Sequence, residues 1–214
     1  ITGTVLVMIA HGLLAALRKL GLSAHNTVGI GDAENDHALL ALCECGVATA
    51  NALPTLKEAA DFVATGERGA GVTELIQGLL KDDLASRESE LTRRHILFGV
   101  DASDQEVRIH PYGENILLTG ETGSGKSEAA TALLEALSES KYSFCVVDSD
   151  GGYETINGAV ALGSRERPPS IEEILKLFRS PDQSGVINLS GLPVLERKAF
   201  IESLLPHLRD LLAR

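Results

Sequence analysis

The chain has 214 residues, with 19 basic and 30 acidic side chains and a formal net charge of −11. Its hydrophobic content is 44%, and no apolar run approaches the roughly 20 residues that a membrane span needs, so we expect a soluble, globular protein with no membrane partner. The negative charge is spread over both halves of the chain, which argues against a broad nucleic-acid-binding surface.

The first half of the chain alternates short apolar runs with helical patterns. A strand-like apolar run over residues 2–10 comes first, followed by an amphipathic helix over residues 12–20 that Gly21 ends. The same patterns predict strands at 27–30, 47–50 and 62–64 and helices at 37–43, 56–60 and 72–80. Strands that alternate with helices predict an α/β fold with a parallel sheet.

Residues 81–94 carry mixed charges and two leucines. Two interpretations stay open, a solvated linker or the frayed end of a helix. We take this charged stretch as the boundary between a first domain, residues 1–80, and a second domain, residues 95–214.

The second domain is predicted to be another parallel α/β segment with a leading β-hairpin. The hairpin strands lie at 96–100 and 107–110, and a short apolar strand follows at 115–119. Ser170 is predicted to cap a helix that carries Glu172 and Glu173 in its first turn. The remaining elements are strands at 144–148 and 186–189 and helices at 128–137, 171–178 and 195–212.

The octapeptide Gly120-Glu121-Thr122-Gly123-Ser124-Gly125-Lys126-Ser127 is a complete phosphate-binding (Walker A) loop. Its glycines allow backbone N–H groups to face phosphates at a helix N-terminus. We predict that Lys126 reaches the β- and γ-phosphates of ATP and that the Ser127 hydroxyl coordinates Mg²⁺. The alternative is an ordinary glycine-rich turn. The residues predicted to bind the nucleotide are Gly120, Thr122, Gly123, Ser124, Gly125, Lys126 and Ser127.

A second candidate site follows the strand at 27–30. The hexapeptide Gly31-Asp32-Ala33-Glu34-Asn35-Asp36 places carboxylates and an amide at the carboxyl end of a strand, where α/β sheets bind ligands. Hard oxygen ligands of this kind suit Mg²⁺. An acidic turn that caps the next helix explains the same residues, so both interpretations stay open.

Residues 27–80 resemble the C-terminal part of the Cof-type haloacid dehalogenase (HAD) phosphatases. Four segments carry the resemblance in order: 31–36 (GDAEND), 47–52 (VATANA), 60–64 (ADFVA) and 69–72 (GAGV). The resemblance implies that Asp32 binds Mg²⁺ and that Asp36 is a second ligand or a support for the site. It also implies a small phosphorylated substrate.

The chain departs from that family at two positions. These phosphatases attack phosphate with an aspartate of an Asp-x-Asp motif near their N-terminus, and no such motif precedes Gly31. The family also has a lysine upstream of the acidic loop, where this sequence reads Ile9-Ala10-His11-Gly12. We therefore expect no phosphatase turnover from this segment as it stands.

Residues 95–214 resemble P-loop ATPases of the HerA/FtsK-like group, through the hairpin, the glycine loop and the segment 146–153 (VVDSDGGY). The resemblance implies ATP hydrolysis in a full-length parent and a homo-oligomer. The strand ending in Asp-Glu that completes this group's site has no counterpart after Ser127. Asp148 and Asp150 are interpreted as a strand-end turn, and a water-mediated approach to the metal is the alternative.

Together the two resemblances describe a bacterial fusion protein of which this chain is the middle, and the first residue, Ile1, is consistent with a piece of a larger chain. The three cysteines are not spaced for a disulfide framework or a zinc site. We therefore predict that Cys43, Cys45 and Cys145 are buried thiols in a reducing cytoplasm. Three functions remain in view: Mg-ATP binding at the glycine loop, a Mg²⁺-dependent phosphatase centred on Asp32, and a non-catalytic regulatory module.

Overall fold

The computed structural model describes residues 2–113 and 115–212. The chain divides into two compact units, Ile1–His95 and Ile96–Arg214, which we describe separately as unit 1 and unit 2. Each unit contains a three-stranded sheet in which all strands run parallel, so the predicted α/β class is confirmed. No helix in these described ranges is long and apolar enough to cross a membrane.

The sheet of unit 1 places three loops at one edge. Its strands are β1 (Val28–Gly31), β2 (Cys45–Ala48) and β3 (Phe62–Val63), in that order. Gly31 pairs with Ala48, and Ala48 pairs with Val63. Because the strands are parallel and end in register, the loops that follow them meet at the carboxyl edge of the sheet.

Helices cover both faces of this sheet. The helices are α1 (Thr2–Leu20), α2 (His37–Leu42), α3 (Pro54–Ala59) and α4 (Gly69–Asp82). Leu75 of α4 packs with Val47 and Phe62 in one core cluster. Leu40 of α2 and Leu56 of α3 form a separate cluster with Ala48. Since side chains alternate along a strand, β2 contributes to both clusters through adjacent residues.

The strand predicted over residues 2–10 is wrong, because these residues belong to helix α1. A short apolar run does not distinguish a strand from a buried helix by periodicity alone. Here only His11 and Gly12 separate the run from Leu13-Leu14-Ala15-Ala16-Leu17, residues of high helix propensity, and one helix extends through both segments.

The charged residues after α4 pack against unit 1. Two 3₁₀ turns, Ala85–Glu90 and Thr92–Arg94, follow the helix, and we call residues 84–94 the strap. Leu84 is 9% exposed and joins the α4-side core, against which Leu91 also packs. The Arg87 guanidinium lies 4.9 Å above the ring of Phe62. Of the two leucines of the charged stretch, Leu84 is thus a core residue of unit 1 and Leu91 is partly buried against that core.

Two arginines bind the strap to the C-terminal end of α2. Arg93 donates to both carboxylate oxygens of Asp61, at 3.1 and 2.8 Å, and to the carbonyl oxygens of Ala41 and Cys43. Arg94 donates to those same two carbonyls, both at 2.7 Å. The last carbonyls of a helix lack intrahelical partners, so these guanidinium groups satisfy acceptors that the helix leaves open.

Unit 2 begins with the predicted hairpin, formed by β4 (Ile96–Val100) and β5 (Glu106–Ile109) in antiparallel pairing. Its parallel sheet has the order β6-β8-β7, with β6 at Cys145–Asp148, β7 at Ala159–Leu162 and β8 at Ser184–Asn188. All five residues of the central strand β8 are buried. Strand β7 was not predicted from the sequence.

The helices of unit 2 are α5 (Lys126–Glu139), α6 (Ile171–Leu177) and α7 (Val194–Leu212). The predicted cap of α6 is confirmed. The Ser170 hydroxyl accepts a hydrogen bond from the Glu173 N–H, and the Glu173 carboxylate accepts one from the Ser170 N–H, both at 3.2 Å.

The strand predicted at residues 115–119 is wrong, since these residues have no regular secondary structure. Ile116 is 45% exposed and Leu117 is 85% exposed. A strand is stabilised by its pairing with neighbours, and this apolar run pairs with none of β6, β7 and β8. The glycine loop therefore follows an irregular segment.

Candidate functional site

Three loops at the carboxyl edge of the unit 1 sheet are joined by backbone hydrogen bonds. We call residues 32–36 the first loop, 49–53 the second loop and 64–68 the third loop. The N–H groups of Thr49 and Leu53 donate to the carbonyls of Gly31 and Asp32, both at 3.1 Å. The Ala50 N–H donates to the Gly66 carbonyl at 3.0 Å. The second loop thus connects the other two.

The carboxylate of Asp36 closes the first loop. One of its oxygens accepts the N–H groups of Asp32 and Ala33 at 2.9 and 3.0 Å, and the other accepts the Asn35 side-chain amide at 3.0 Å. A Cβ atom at Gly31 would lie 2.4 Å from the Cβ of Asp36, so only glycine fits before this turn. Of the two roles considered for Asp36, this geometry is that of a support.

The carboxylate of Asp32 is exposed and has one side-chain donor among its recorded hydrogen bonds. The Asn51 side-chain amide donates to Asp32 Oδ2 at 3.0 Å. Asn51 Oδ1 accepts the hydroxyl of Thr49 at 3.1 Å and the backbone N–H of Arg68 at 2.7 Å. Sequence reasoning did not single out Asn51, although an amide just after a strand, in the VATANA segment, was the available signal.

The third loop is held by Glu74 of α4. Its carboxylate accepts the Thr65 hydroxyl at 2.7 Å and the Gly66 N–H at 2.9 Å. These hydrogen bonds stabilise the ionised form and hold the pKa of Glu74 below its usual value. Arg68, at the end of the loop, has φ 48° and ψ −126°, a conformation that residues other than glycine rarely adopt.

The described residues at this edge form no ready-made cluster of metal ligands. Within residues 2–113 and 115–212, no group of three or more His, Cys, Asp and Glu side chains is arranged to hold a metal ion. Mg²⁺ commonly binds through one or two carboxylates and keeps several waters. Asp32 fits that mode of binding, whereas a closed protein cage is not formed here.

The glycine loop of unit 2 leads directly into α5, and its lysine is hydrogen-bonded to carbonyls of the same loop. Gly123 and Gly125 have φ 82° and 87°, conformations that favour glycine, and the helix begins at Lys126. The Lys126 ammonium donates to the carbonyls of Gly120 and Glu121 at 3.0 and 2.6 Å. The other predicted nucleotide-binding residues with side chains, Thr122, Ser124 and Ser127, are exposed.

Asp148 occupies the end of β6 in unit 2 and belongs to the one Asp-x-Asp segment of the sequence. Its carboxylate is 4% exposed and accepts the backbone N–H groups of Asp150, Gly151 and Tyr153 at 2.9 to 3.0 Å. This is the strand-end turn that we expected. A carboxylate enclosed by three amides is poorly placed to act as a nucleophile.

Comparison with known proteins found relatives for part of the chain. Residues 10–76 match the family described as haloacid dehalogenase-like hydrolase. The chain is 41% identical to the phosphoglycolate phosphatase of Methanopyrus kandleri over 71 residues. This aligned segment is 33% of this chain and 31% of the relative. The chain is 43% identical over 53 residues to phosphoglycolate phosphatase 2 of Saccharolobus solfataricus, covering 25% and 23%. No solved structure matches.

The chain thus spans less than a third of the length of these two relatives. The family match ends at residue 76, before the strap and before unit 2. The ATPase resemblance of residues 95–214 accordingly stays a prediction. The resemblance that was read from four short segments is confirmed as similarity of residues 10–76 to the HAD-like hydrolases.

Proposed function

We propose that residues 10–76 form the Mg²⁺-binding part of a HAD-type phosphatase site for a small phosphorylated substrate. The observation that carries the proposal is the exposed carboxylate of Asp32 at the carboxyl end of β1, held by the Asn51 amide at 3.0 Å. The names of the relatives suggest phosphoglycolate or a similar small phosphate ester as the substrate.

The two aspartates of the first loop have different parts in this proposal. Asp32 would hold the cation, while Asp36 keeps the loop closed through three hydrogen bonds. When bound, Mg²⁺ supplies positive charge that neutralises the phosphate oxygens. Residues 1–30 contain no acidic side chain, so this segment offers no aspartate nucleophile before the loop. The proposal for the chain itself is therefore metal and phosphate binding.

The test is a titration of the full chain with Mn²⁺, which replaces Mg²⁺ and is detected by electron paramagnetic resonance. We expect one saturable site per chain, which Mg²⁺ displaces. Asp32→Asn should abolish it. Glu34→Gln is the matched control because it removes the same charge from the same loop, where the Glu34 side chain is 59% exposed.

Loss of binding in Asp32→Asn but not in Glu34→Gln would support coordination by Asp32. Equal weakening by both variants would show that only the net charge of the loop attracts the cation, and the proposal would be wrong. Absence of any saturable site in the folded wild-type chain would also contradict it.

A second candidate function is Mg-ATP binding at Gly120–Ser127, with hydrolysis confined to a full-length parent. The observation that favours it is the start of α5 at Lys126 after two glycines of positive φ, which directs a helix N-terminus and an ammonium group to the same loop. We expect ATP to displace the Gly120 and Glu121 carbonyls from Lys126. The absence of a strand before the loop weakens this candidate relative to the first.

Calorimetric titration of the chain with Mg-ATP tests the second candidate. Lys126→Ala should remove saturable binding, and Lys176→Ala on the exposed side of α6 is the control for loss of one positive charge. Binding that persists in Lys126→Ala would place the nucleotide elsewhere. If neither Mn²⁺ nor Mg-ATP binds, the non-catalytic regulatory module becomes the better interpretation.

A further inference from the structure

We propose that Asn51 is the positioning residue of the metal site, in that it fixes the Asp32 carboxylate and ties it to the third loop. This inference rests on the proposed function of Asp32 and adds a residue to it. Asn51 makes three recorded side-chain hydrogen bonds, one to each of the three loops: Asp32 in the first, Thr49 in its own and Arg68 in the third.

The hydrogen bonds define the orientation of the Asn51 amide. Its NH₂ group faces the acceptor Asp32 Oδ2, and its oxygen faces two donors, the Thr49 hydroxyl and the Arg68 N–H. The reversed amide would place its oxygen against a carboxylate and its NH₂ group against an N–H donor. Only one of the two orientations is therefore stable, and in that orientation a donor always faces Asp32.

The backbone at Arg68 shows that this connection holds the third loop in an unfavourable conformation. Residues other than glycine avoid φ 48° and ψ −126°, and such strain persists only when the surrounding structure imposes it. Asn51 Oδ1 accepts the Arg68 N–H at 2.7 Å, and the Ala50 N–H holds the Gly66 carbonyl two residues before. The second loop thus constrains the third at two points.

Without Asn51 the Asp32 side chain would lose a contact that restricts its rotation. Asp36 does not replace that contact, since its carboxylate accepts the backbone N–H of Asp32 and makes no recorded bond to the side chain. An exposed carboxylate that must be ordered on binding binds a cation more weakly than one already held in place. Asn51 should therefore contribute to affinity without coordinating the cation.

The experiment compares Mn²⁺ affinity and metal-free stability in the wild-type chain and four variants. Asn51→Ala should weaken Mn²⁺ binding about tenfold, in the range found when a residue that orients a metal ligand is removed. Thr49→Val removes one of the two donors to the Asn51 oxygen and should weaken binding less than Asn51→Ala does. Asn26→Ala, an exposed residue just before the other end of β1, is the matched control. Asp32→Asn gives the background Mn²⁺ signal of a chain that lacks the metal site.

The outcomes separate this inference from the proposed function. A larger loss of Mn²⁺ affinity in Asn51→Ala than in Thr49→Val supports the positioning of Asp32 by Asn51. A broader distribution of the zero-field splitting of the bound Mn²⁺ is expected with it. Unchanged Mn²⁺ affinity in Asn51→Ala, with binding still lost in Asp32→Asn, overturns the role of Asn51 alone. If Asn51→Ala does not fold, Thr49→Val replaces it: weakened Mn²⁺ binding supports the role of Asn51, and unchanged Mn²⁺ binding overturns it. No binding by the wild-type chain overturns both proposals.

Discussion

The first loop of unit 1 and the glycine loop of unit 2 differ in motif strength and in structural support, and the two properties run in opposite directions. The glycine loop has a complete eight-residue motif, whereas the first loop has a six-residue pattern that an acidic turn explains equally well. Yet the first loop follows a paired strand and has backbone bonds to a neighbouring loop. The glycine loop follows a segment without a strand.

A motif therefore predicts a site only together with its supporting structure. In the first loop, the Asp36 carboxylate closes the turn through the N–H of Asp32 and the amide of Asn35, and the Asn51 amide donates to Asp32. In the glycine loop, the Lys126 ammonium donates its hydrogen bonds to carbonyl oxygens of the same loop. Substitutions in the two units should therefore have effects of different size and cause.

We expect the largest effect from Arg93→Ala in the strap. Asp61 is 2% exposed in its side chain and would keep its bond from the Gly46 N–H but lose the guanidinium. Removal of one partner from a buried ion pair leaves an uncompensated charge, so unit 1 should lose about 3 kcal/mol of unfolding free energy. Arg108→Ala is the control, because its pair with Glu106 is about half exposed on both sides and should contribute less than about 1 kcal/mol.

The cysteines report each unit separately in this measurement. Burial raises the pKa of the Cys45 thiol to about 12 and that of Cys145 to about 11, and it also raises the pKa of Cys43. Thiol labelling near pH 8 is therefore slow in the folded units and becomes faster when the unit that contains the cysteine opens, most strongly for Cys43 and Cys45, which are buried, and less so for Cys145, which is partly exposed. Faster labelling of Cys43 and Cys45 in Arg93→Ala, with Cys145 unchanged, is expected. Unchanged labelling of all three would show that Arg93 contributes nothing to the stability of unit 1.

A smaller effect is expected from glycine-to-alanine changes in the two loops, which should act for different reasons. Gly31→Ala would force its Cβ within 2.4 Å of Asp36, an overpacking cost of about 2 kcal/mol in unit 1, and Mn²⁺ binding should weaken with it. Gly123→Ala meets no atom within 4 Å and is opposed only by its φ of 82°, at about 1 kcal/mol. Equal losses of unfolding free energy in the two variants, followed by thiol labelling of each unit, would contradict this difference between the two loops.

Much of the fold could be predicted from local sequence patterns, since β1, β2, β6 and β8 are short apolar runs bounded by turn residues. Strand β7 had a comparable signal, four apolar residues between Gly158 and Gly163, and was missed. The two wrong strands, at residues 2–10 and 115–119, were apolar runs whose state depends on what they pack or pair with. Local propensity does not contain that information.

The candidate site was predictable only in part, and for a related reason. Asp32 and Asp36 stand in one hexapeptide, but their separate roles depend on which donors face each carboxylate. Asn51 contacts Asp32 from 19 residues away, and Arg93 reaches the carbonyls of α2 from about 50 residues away. Such contacts arise only when the sheet has formed, so a pattern of residue types along the chain does not reveal them.

The smallest effect is expected from acid, through one carboxylate in each unit. The pKa of Glu74 lies below its usual 4.5 because of hydrogen bonds from Thr65 and Gly66, and that of Glu173 is lowered by bonds from Ser170 and Arg167. A folded-state pKa that is lower than the unfolded one stabilises the protein above the unfolded value. That contribution is lost as the pH falls below 4.5 through the folded value. Both carboxylates are solvent-exposed, so each contribution is small.

Glu74→Gln should remove the acid dependence of the third loop while leaving α6 unchanged, and Glu173→Gln should do the reverse. Hydrogen–deuterium exchange of peptides that cover residues 64–68 and 170–177, followed from pH 5 to pH 3, measures both after correction for the intrinsic rate. If Glu74→Gln leaves the acid-induced opening of residues 64–68 as it is in the wild type, Glu74 does not hold this loop. The support of Arg68 would then come from Asn51 and the second loop alone, which would increase the dependence of the Asp32 site on Asn51.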